Sequence, residues 1–175
     1  NMTPQHPTEK KFEDHIEKSL KQNGYSSVTS EHYDKELCLI PSKLLEFIKS
    51  TQKKSYKNYE QQYGSETDKK LLQLVSSEIQ SRGVIDVLRS VVKDRGCHFK
   101  LVYFEPKSSL NVEHQELYDK NQFSLVRQLK YSKQNENSID IGVFINGLPV
   151  VMMELKNSLT GQTHEDGIKQ WKQDR

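Results

Sequence analysis

The chain has 175 residues with a formal net charge of +2, and its composition is 33% hydrophobic and 29% charged. This length suits one domain that buries about 70% of the surface of its unfolded chain. There is no run of eighteen apolar residues and no signal-peptide pattern, so neither a membrane-spanning helix nor secretion is predicted. The small net charge does not by itself indicate a nucleic-acid-binding protein, since such proteins are often strongly basic. Cys38 and Cys97 lie outside any CxxC pattern, which argues against a zinc site.

The first forty residues are predicted to form a tail, a helix and a loop. Residues 1–7 are expected to be a disordered tail with a tag remnant. Thr8 is expected to cap a helix that stops at Gly24. Glu13 lies beside the apolar stripe of this helix and is expected to be solvated. Residues 25–40 are expected to be extended or looped.

Three further helices are predicted before residue 97. Ser42 is expected to cap the first of them, the next ends near Gly83, and the last runs from Val84 to Gly96. Between the first two lies a segment in which basic and aromatic residues alternate: Lys53, Lys54, Tyr56, Lys57, Tyr59 and Tyr63. Such a segment can meet a nucleic-acid backbone. The alternative is an ordinary solvated helix face.

Two strands and a connection are predicted in the next part of the chain. Alternation over residues 99–104 indicates a strand, and residues 123–131 indicate another. The connection between them is expected to contain a short helix. Arg127 and Lys130 on the second strand could approach a phosphate, or they could be ordinary surface charges.

Residues 137–156, NSIDIGVFINGLPVVMMELK, predict a hairpin of two apolar strands joined at Asn146-Gly147. Side chains alternate between the faces of a strand, so the apolar sets should meet on one side. That requirement places Val143 opposite Val151 and Ile141 opposite Met153, because a slip of one residue would turn a whole set to the other face.

The same register places Asp140 directly opposite Glu154, with about 5 Å between their Cβ atoms. A two-residue turn at Asn146-Gly147, which is typical of this dipeptide, would instead pair Asp140 with Met153. The apolar pattern therefore predicts a three-residue or bulged connection around residues 146–148.

Two carboxylates in this arrangement favour a divalent cation. At about 4 Å they repel by about 4 kcal/mol at an effective dielectric constant near 20. Magnesium suits such a site, since it is held by one or two protein carboxylates and keeps several waters. Lys156, on the same face as Glu154, could orient a water or stabilise developing phosphate charge. The alternative is an ordinary salt bridge on an exposed sheet face.

The spacing of Asp140 and Glu154-Leu155-Lys156 resembles the PD-(D/E)xK nuclease motif. The flanking segments are more specific, and together they resemble the N-terminal domain of type I restriction enzyme R subunits over residues 8–175. The segments that carry this resemblance are Arg127-Gln128-Leu129, residues 137–140, residues 144–149 and residues 154–163, with Thr8-Glu9, Phe12-Glu13, Tyr33-Asp34, Leu37-Cys38-Leu39 and Thr51-Gln52 upstream.

The resemblance implies a site made of residues from the hairpin and the helix after it. Asp140 and Glu154 would be ligands of Mg²⁺, and Lys156 would be the catalytic lysine. Gln170 matches the glutamine of a Gln-x-x-x-Tyr motif, although Asp174 stands where the tyrosine is expected. Glu13 would correspond to a carboxylate that related nucleases sometimes carry on their first helix.

The resemblance also implies a fold class and a setting. The fold would be α/β (α+β), with a restriction-endonuclease-like core, a mixed sheet flanked by helices and an N-terminal helical region. One nuclease domain over residues 8–175 would cut double-stranded DNA in a prokaryotic cytoplasm, beside modification and specificity subunits.

The chain is expected to be a fragment of a larger subunit, because the helical pattern from Thr163 continues to Arg175 without a stop signal. ATP would serve only the full-length subunit, since this sequence has no P-loop motif. The rival interpretations are a non-catalytic DNA-binding or docking module and a standalone repair nuclease.

Overall fold

The computed structural model describes residues 7–108, 111–131 and 137–155. Its helices are α1 Pro7–Gln22, α2 Pro41–Thr51, α3 Lys53–Tyr63, α4 Thr67–Arg82, α5 Val84–Arg89 and α6 Val112–Asp119. Its strands are β1 Ser26–Ser27, β2 Val91–Asp94, β3 Cys97–Lys100, β4 Phe123–Lys130, β5 Ser138–Ile145 and β6 Leu148–Met153. The predicted α/β class, with a helical N-terminal region and a mixed sheet, is confirmed.

The sheet that carries the hairpin has the strand order β1-β4-β5-β6 over the described residues. β1 is parallel to β4, whereas β5 is antiparallel to both of its neighbours, β4 and β6. β2 and β3 form a separate antiparallel pair. The sheet is therefore mixed because of β1, a two-residue strand within a segment that was predicted only as extended or looped.

Two apolar clusters hold these elements together. The larger one joins α2, α3, α4 and α5 to the β2–β3 pair and to Leu148 of the hairpin. The smaller one contains Ile40, Val126, Leu129 and Phe144, and the ring of Tyr33 meets that of Phe144 edge-on at 5.7 Å. Phe144, before the hairpin turn, and Leu148, after it, thus belong to different clusters, which fixes the hairpin between them.

The predicted helix from Val84 to Gly96 is wrong beyond Arg89. Ser90 has an extended backbone, and Val91–Asp94 pairs with Cys97–Lys100 instead of continuing α5. Arg95 and Gly96 both have positive φ, 47° and 77°, and these values suit a tight hairpin turn. The strand predicted over residues 99–104 consequently begins at Cys97 and ends at Lys100.

The predicted cap of α2 is also wrong. Ile40 precedes the helix and makes no side-chain capping bond, while Pro41 occupies the first turn. Proline is favoured there because its φ is already helical and its missing N–H would have no helical partner. Ser42 therefore lies inside the helix.

The helix expected at the N terminus is confirmed as α1, the short helix of the connection as α6, and the strand over residues 123–131 as β4. The predicted cap of α1 is wrong, because the helix begins at Pro7 and Thr8 lies inside it. The predicted tail lies outside the described residues except for Pro7, which begins α1. The predicted helix from Thr163 also lies outside them. None of the helices in the described part of the chain is long and apolar enough to cross a membrane.

Candidate active site

The hairpin has the register that the apolar pattern predicts. Ile141 pairs with Met153 and Val143 pairs with Val151. The register shifts between Val143 and Phe144, where β6 carries one extra residue, Val150. A bulge was predicted, but it lies within the strands, next to a two-residue turn rather than in a longer loop. The Asn-Gly turn and the apolar register are compatible because the bulge absorbs the difference.

Asn146 anchors the turn to the rest of the fold. It is fully buried with φ of 49°. Its Nδ2 donates to the carbonyl of Leu101 and to Oδ1 of Asn121, both at 3.0 Å, and its Oδ1 accepts the N–H of Gln122 at 2.7 Å. These bonds satisfy a buried amide and tie the turn to the segments before and after α6.

Gly147, the second turn residue, lies against the start of α2. Its φ is +80°, and its carbonyl accepts the N–H of Ile40 at 2.9 Å. A Cβ at this position would lie 2.5 Å from the Ile40 carbonyl oxygen and 2.9 Å from the Leu44 nitrogen. The turn residues are therefore structural: they set the position and register of β5, which carries Asp140, and of β6, which ends one residue before Glu154.

Asp140 lies at the end of the hairpin away from the turn. Its Oδ2 accepts the backbone N–H of Leu155 at 2.7 Å, and its Oδ1 accepts a bond from Nε2 of Gln128 at 3.3 Å. The pairing of β5 with β6 ends at Ile141 and Met153. Continuing this register by one residue places Asp140 across from Glu154. Asp140 is partly buried and Glu154 is exposed. The distance between the two carboxylates stays a prediction.

Gln128 links Asp140 to a third carboxylate, that of Glu13. Its Nε2 donates to Oε2 of Glu13 at 3.2 Å as well as to Asp140, and its Oε1 accepts from Oγ of Ser138 at 3.1 Å. Glu13 and Asp140 thus converge on one amide nitrogen. The sequence analysis did not single out Gln128 as a site residue, although it lies within a segment that carried the family resemblance.

Glu13 is buried, so the expectation that it is solvated is wrong. Its Oε1 accepts from Nε of Arg127 at 2.6 Å, across 114 positions of sequence. Arg127 also donates from its Nη1 to Asp14 at 2.7 Å and to Glu17 at 2.8 Å. Arg127 was expected to approach a phosphate or to be a surface charge. It instead binds three carboxylates of α1 and fixes this helix beside β4.

The charges of this cluster support one another. Burial alone would lower the pKa of the Arg127 guanidinium, but its bonds to Glu13, Glu17 and Asp14 raise that pKa above its ordinary value. The pKa of Glu17 lies below its ordinary value, first because it accepts a hydrogen bond from the Ser27 hydroxyl and then because of Arg127. Glu13 therefore keeps a cationic partner although it is buried.

The oxygens near Asp140 fit a hard cation such as Mg²⁺. A carboxylate oxygen has two lone pairs, and each oxygen of Asp140 accepts one described hydrogen bond, which leaves capacity for a metal. In the described ranges there is no group of three or more His, Cys, Asp or Glu residues with metal-binding geometry. A site of Asp140 and Glu154 completed by waters agrees with the small protein ligand set of magnesium. Lys156 and Gln170 lie outside the described residues.

The tyrosines of α3 contact neighbouring elements of the fold. Tyr59 is buried, and its hydroxyl and that of Tyr63 donate to Oδ2 of Asp94 at 2.9 and 2.7 Å. The hydroxyl of Tyr56 donates to Asp68 at 2.6 Å. These rings attach α3 to its neighbours, while the lysines between them are exposed.

A family model described as type I restriction enzyme R protein N terminus matches residues 6–175. The chain belongs to this family. No curated protein and no solved structure gave a match. As a type I restriction enzyme R protein N terminus, the chain is a region of a restriction enzyme subunit, and that family implies a restriction complex and DNA. The resemblance drawn from the sequence over residues 8–175 is thereby confirmed.

Proposed function

We propose that this R protein N terminus is a magnesium-dependent endonuclease domain that hydrolyses phosphodiester bonds of double-stranded DNA. One observation carries the proposal: the Asp140 carboxylate is bonded to the N–H of Leu155 at 2.7 Å, beside Glu154. This bond fixes one oxygen of Asp140 beside a second carboxylate, and carboxylate oxygens are the ligands that Mg²⁺ prefers. Membership of a restriction enzyme family supports DNA as the substrate.

In this proposal the residues of the hairpin have separate roles. Asp140 and Glu154 would hold Mg²⁺, which when bound polarises the phosphate and activates a water. The bonds from Leu155 and Gln128 keep the oxygens of Asp140 in one orientation. Lys156 would place a positive charge at the phosphate or help to deprotonate the attacking water. Gln170 would contribute from the following helix.

The complex would divide the work between subunits. Modification and specificity subunits would select the DNA, and the ATP-driven motor of the full-length subunit would move it. The chain described here would supply cleavage alone. Cleavage and ATP hydrolysis should therefore be separable by substitutions at the hairpin.

The test compares plasmid nicking and linearisation with ATP hydrolysis in the same assembled complexes. Glu154→Ala and Lys156→Ala are each expected to lower cleavage by about 10²–10⁴ while ATP hydrolysis persists. Glu154 is exposed, so its truncation should open no core cavity. Glu116→Ala, which removes an exposed carboxylate of α6, is the matched control and should leave both activities unchanged. Undiminished cleavage by either hairpin variant would refute the catalytic assignment. An equal loss of ATP hydrolysis would indicate a structural role.

A further inference from the structure

Gln128 has an unusual backbone for a strand residue. Its φ is 49°, in the left-handed region that residues other than glycine rarely adopt. Its neighbours pair normally, Arg127 with Ile141 and Leu129 with Ile139. Val126 and Leu129 pack in the same apolar cluster although they are three positions apart. In a regular strand, residues three positions apart face opposite sides, so the alternation of β4 is interrupted at Gln128. Such a conformation persists where the surroundings over-determine it, and it is common at functional sites.

The side chain of Gln128 is fixed in one orientation by three bonds. Its Nε2 has two hydrogens, and among the described residues it donates to Oε2 of Glu13 at 3.2 Å and to Oδ1 of Asp140 at 3.3 Å. Its Oε1 accepts from Ser138 at 3.1 Å. A flipped amide would set Oε1 against two carboxylate oxygens and Nε2 against the Ser138 hydroxyl. The donating edge of the amide therefore faces the carboxylates.

We propose that Gln128 is the positioning residue of the metal site, and this inference rests on the proposed function. Glu13 and Asp140 repel each other, and the shared amide nitrogen offsets that repulsion by donating to both. Without it Asp140 would keep its bond from the Leu155 N–H, but Oδ1 would be released from its present direction. Partners that orient metal ligands typically contribute 10–100-fold to metal affinity.

The test measures Mn²⁺ affinity of the full-length protein by titration calorimetry. Gln128→Met keeps the length of the side chain and removes the amide, so Mn²⁺ should bind about 10–100-fold more weakly. Gln115→Met is the matched control, because Nε2 of Gln115 donates to Asp119 at 2.8 Å on α6, away from the site. That control should bind Mn²⁺ as the native protein does. Plasmid cleavage by the assembled Gln128→Met complex should recover at raised Mg²⁺, since the metal ligands remain.

A second pair of variants acts through the orientation of the amide alone. Ser138→Ala removes the hydroxyl that donates to Oε1 of Gln128, so it should weaken Mn²⁺ binding, as Gln128→Met does. Ser138→Thr keeps a hydroxyl and should bind Mn²⁺ with native affinity. This pair decides the question if Gln128→Met fails to fold, because Gln128 and both carboxylates stay in place.

The outcomes separate this inference from the proposed function. If Gln128→Met and Ser138→Ala bind Mn²⁺ with native affinity while Asp140→Asn does not, the positioning role is overturned and the metal site stands. If the native protein binds no Mn²⁺, or if Asp140→Asn leaves its affinity unchanged, both are overturned.

Discussion

Gly147→Ala tests whether the turn of the hairpin is fixed by α2. The added Cβ would meet the carbonyl oxygen of Ile40 at 2.5 Å and the nitrogen of Leu44 at 2.9 Å. Both contacts are to backbone atoms at the start of a helix, so no side-chain rotation can relieve them. The substitution would also place a side chain on a residue with φ of +80°.

Gly96 provides a matched control that separates the two costs. Its φ is +77°, and a Cβ there would have no atom within 4 Å. Gly96→Ala should therefore lower the free energy of unfolding by the left-handed backbone cost alone, about 1–2 kcal/mol. Gly147→Ala should lower the free energy of unfolding by the same backbone cost and by a further amount of about 1–3 kcal/mol, because the new Cβ overpacks against Ile40 and Leu44.

The assay is urea unfolding followed by circular dichroism, with both variants compared with the native protein at one temperature. The free energy of unfolding of Gly147→Ala should fall by at least about 1 kcal/mol more than that of Gly96→Ala. Equal losses for the two variants would refute the close approach of the turn to α2, and with it the structural role assigned to the Asn-Gly pair.

Two further predictions concern the cluster on α1. Arg127→Met should lower the free energy of unfolding by about 3–5 kcal/mol, because the side chain of Glu13 is 1% exposed and would keep a buried charge without its cation. A loss below about 1 kcal/mol in urea unfolding would contradict that burial. Because the pKa of Glu17 is lowered from 4.5, its contribution to stability is complete above about pH 5 and is lost as the pH falls through the lowered pKa. Glu17→Gln should flatten the loss of stability on acidification below about pH 5, and an unchanged slope would contradict this.

The register of the hairpin could be predicted because it follows from a repeated local pattern. Val143 with Val151 and Ile141 with Met153 are each required by the same apolar alternation, and one error would turn every residue to the wrong face. The position of the bulge could not be predicted. The turn beside it is held by Ile40, whose N–H bonds to the Gly147 carbonyl from more than a hundred residues away in the sequence.

The rest of the site depends on similar long-range contacts. Glu13 looked solvated because its partner Arg127 is 114 positions away. Gln128 looked like an ordinary strand residue because its partners Glu13, Ser138 and Asp140 lie on other elements. Val91 was assigned to a helix because its spacing from Val84 fits one, although it lies in β2. Local periodicity cannot distinguish these cases, since the deciding contacts come from other elements.

Asp140 and Glu154 should together hold one divalent cation. A crystal structure of the protein grown with Mn²⁺, with an anomalous difference map, measures this directly. We expect a peak within about 2.5 Å of a carboxylate oxygen of each residue. A map at saturating Mn²⁺ with no peak at these two carboxylates would contradict it.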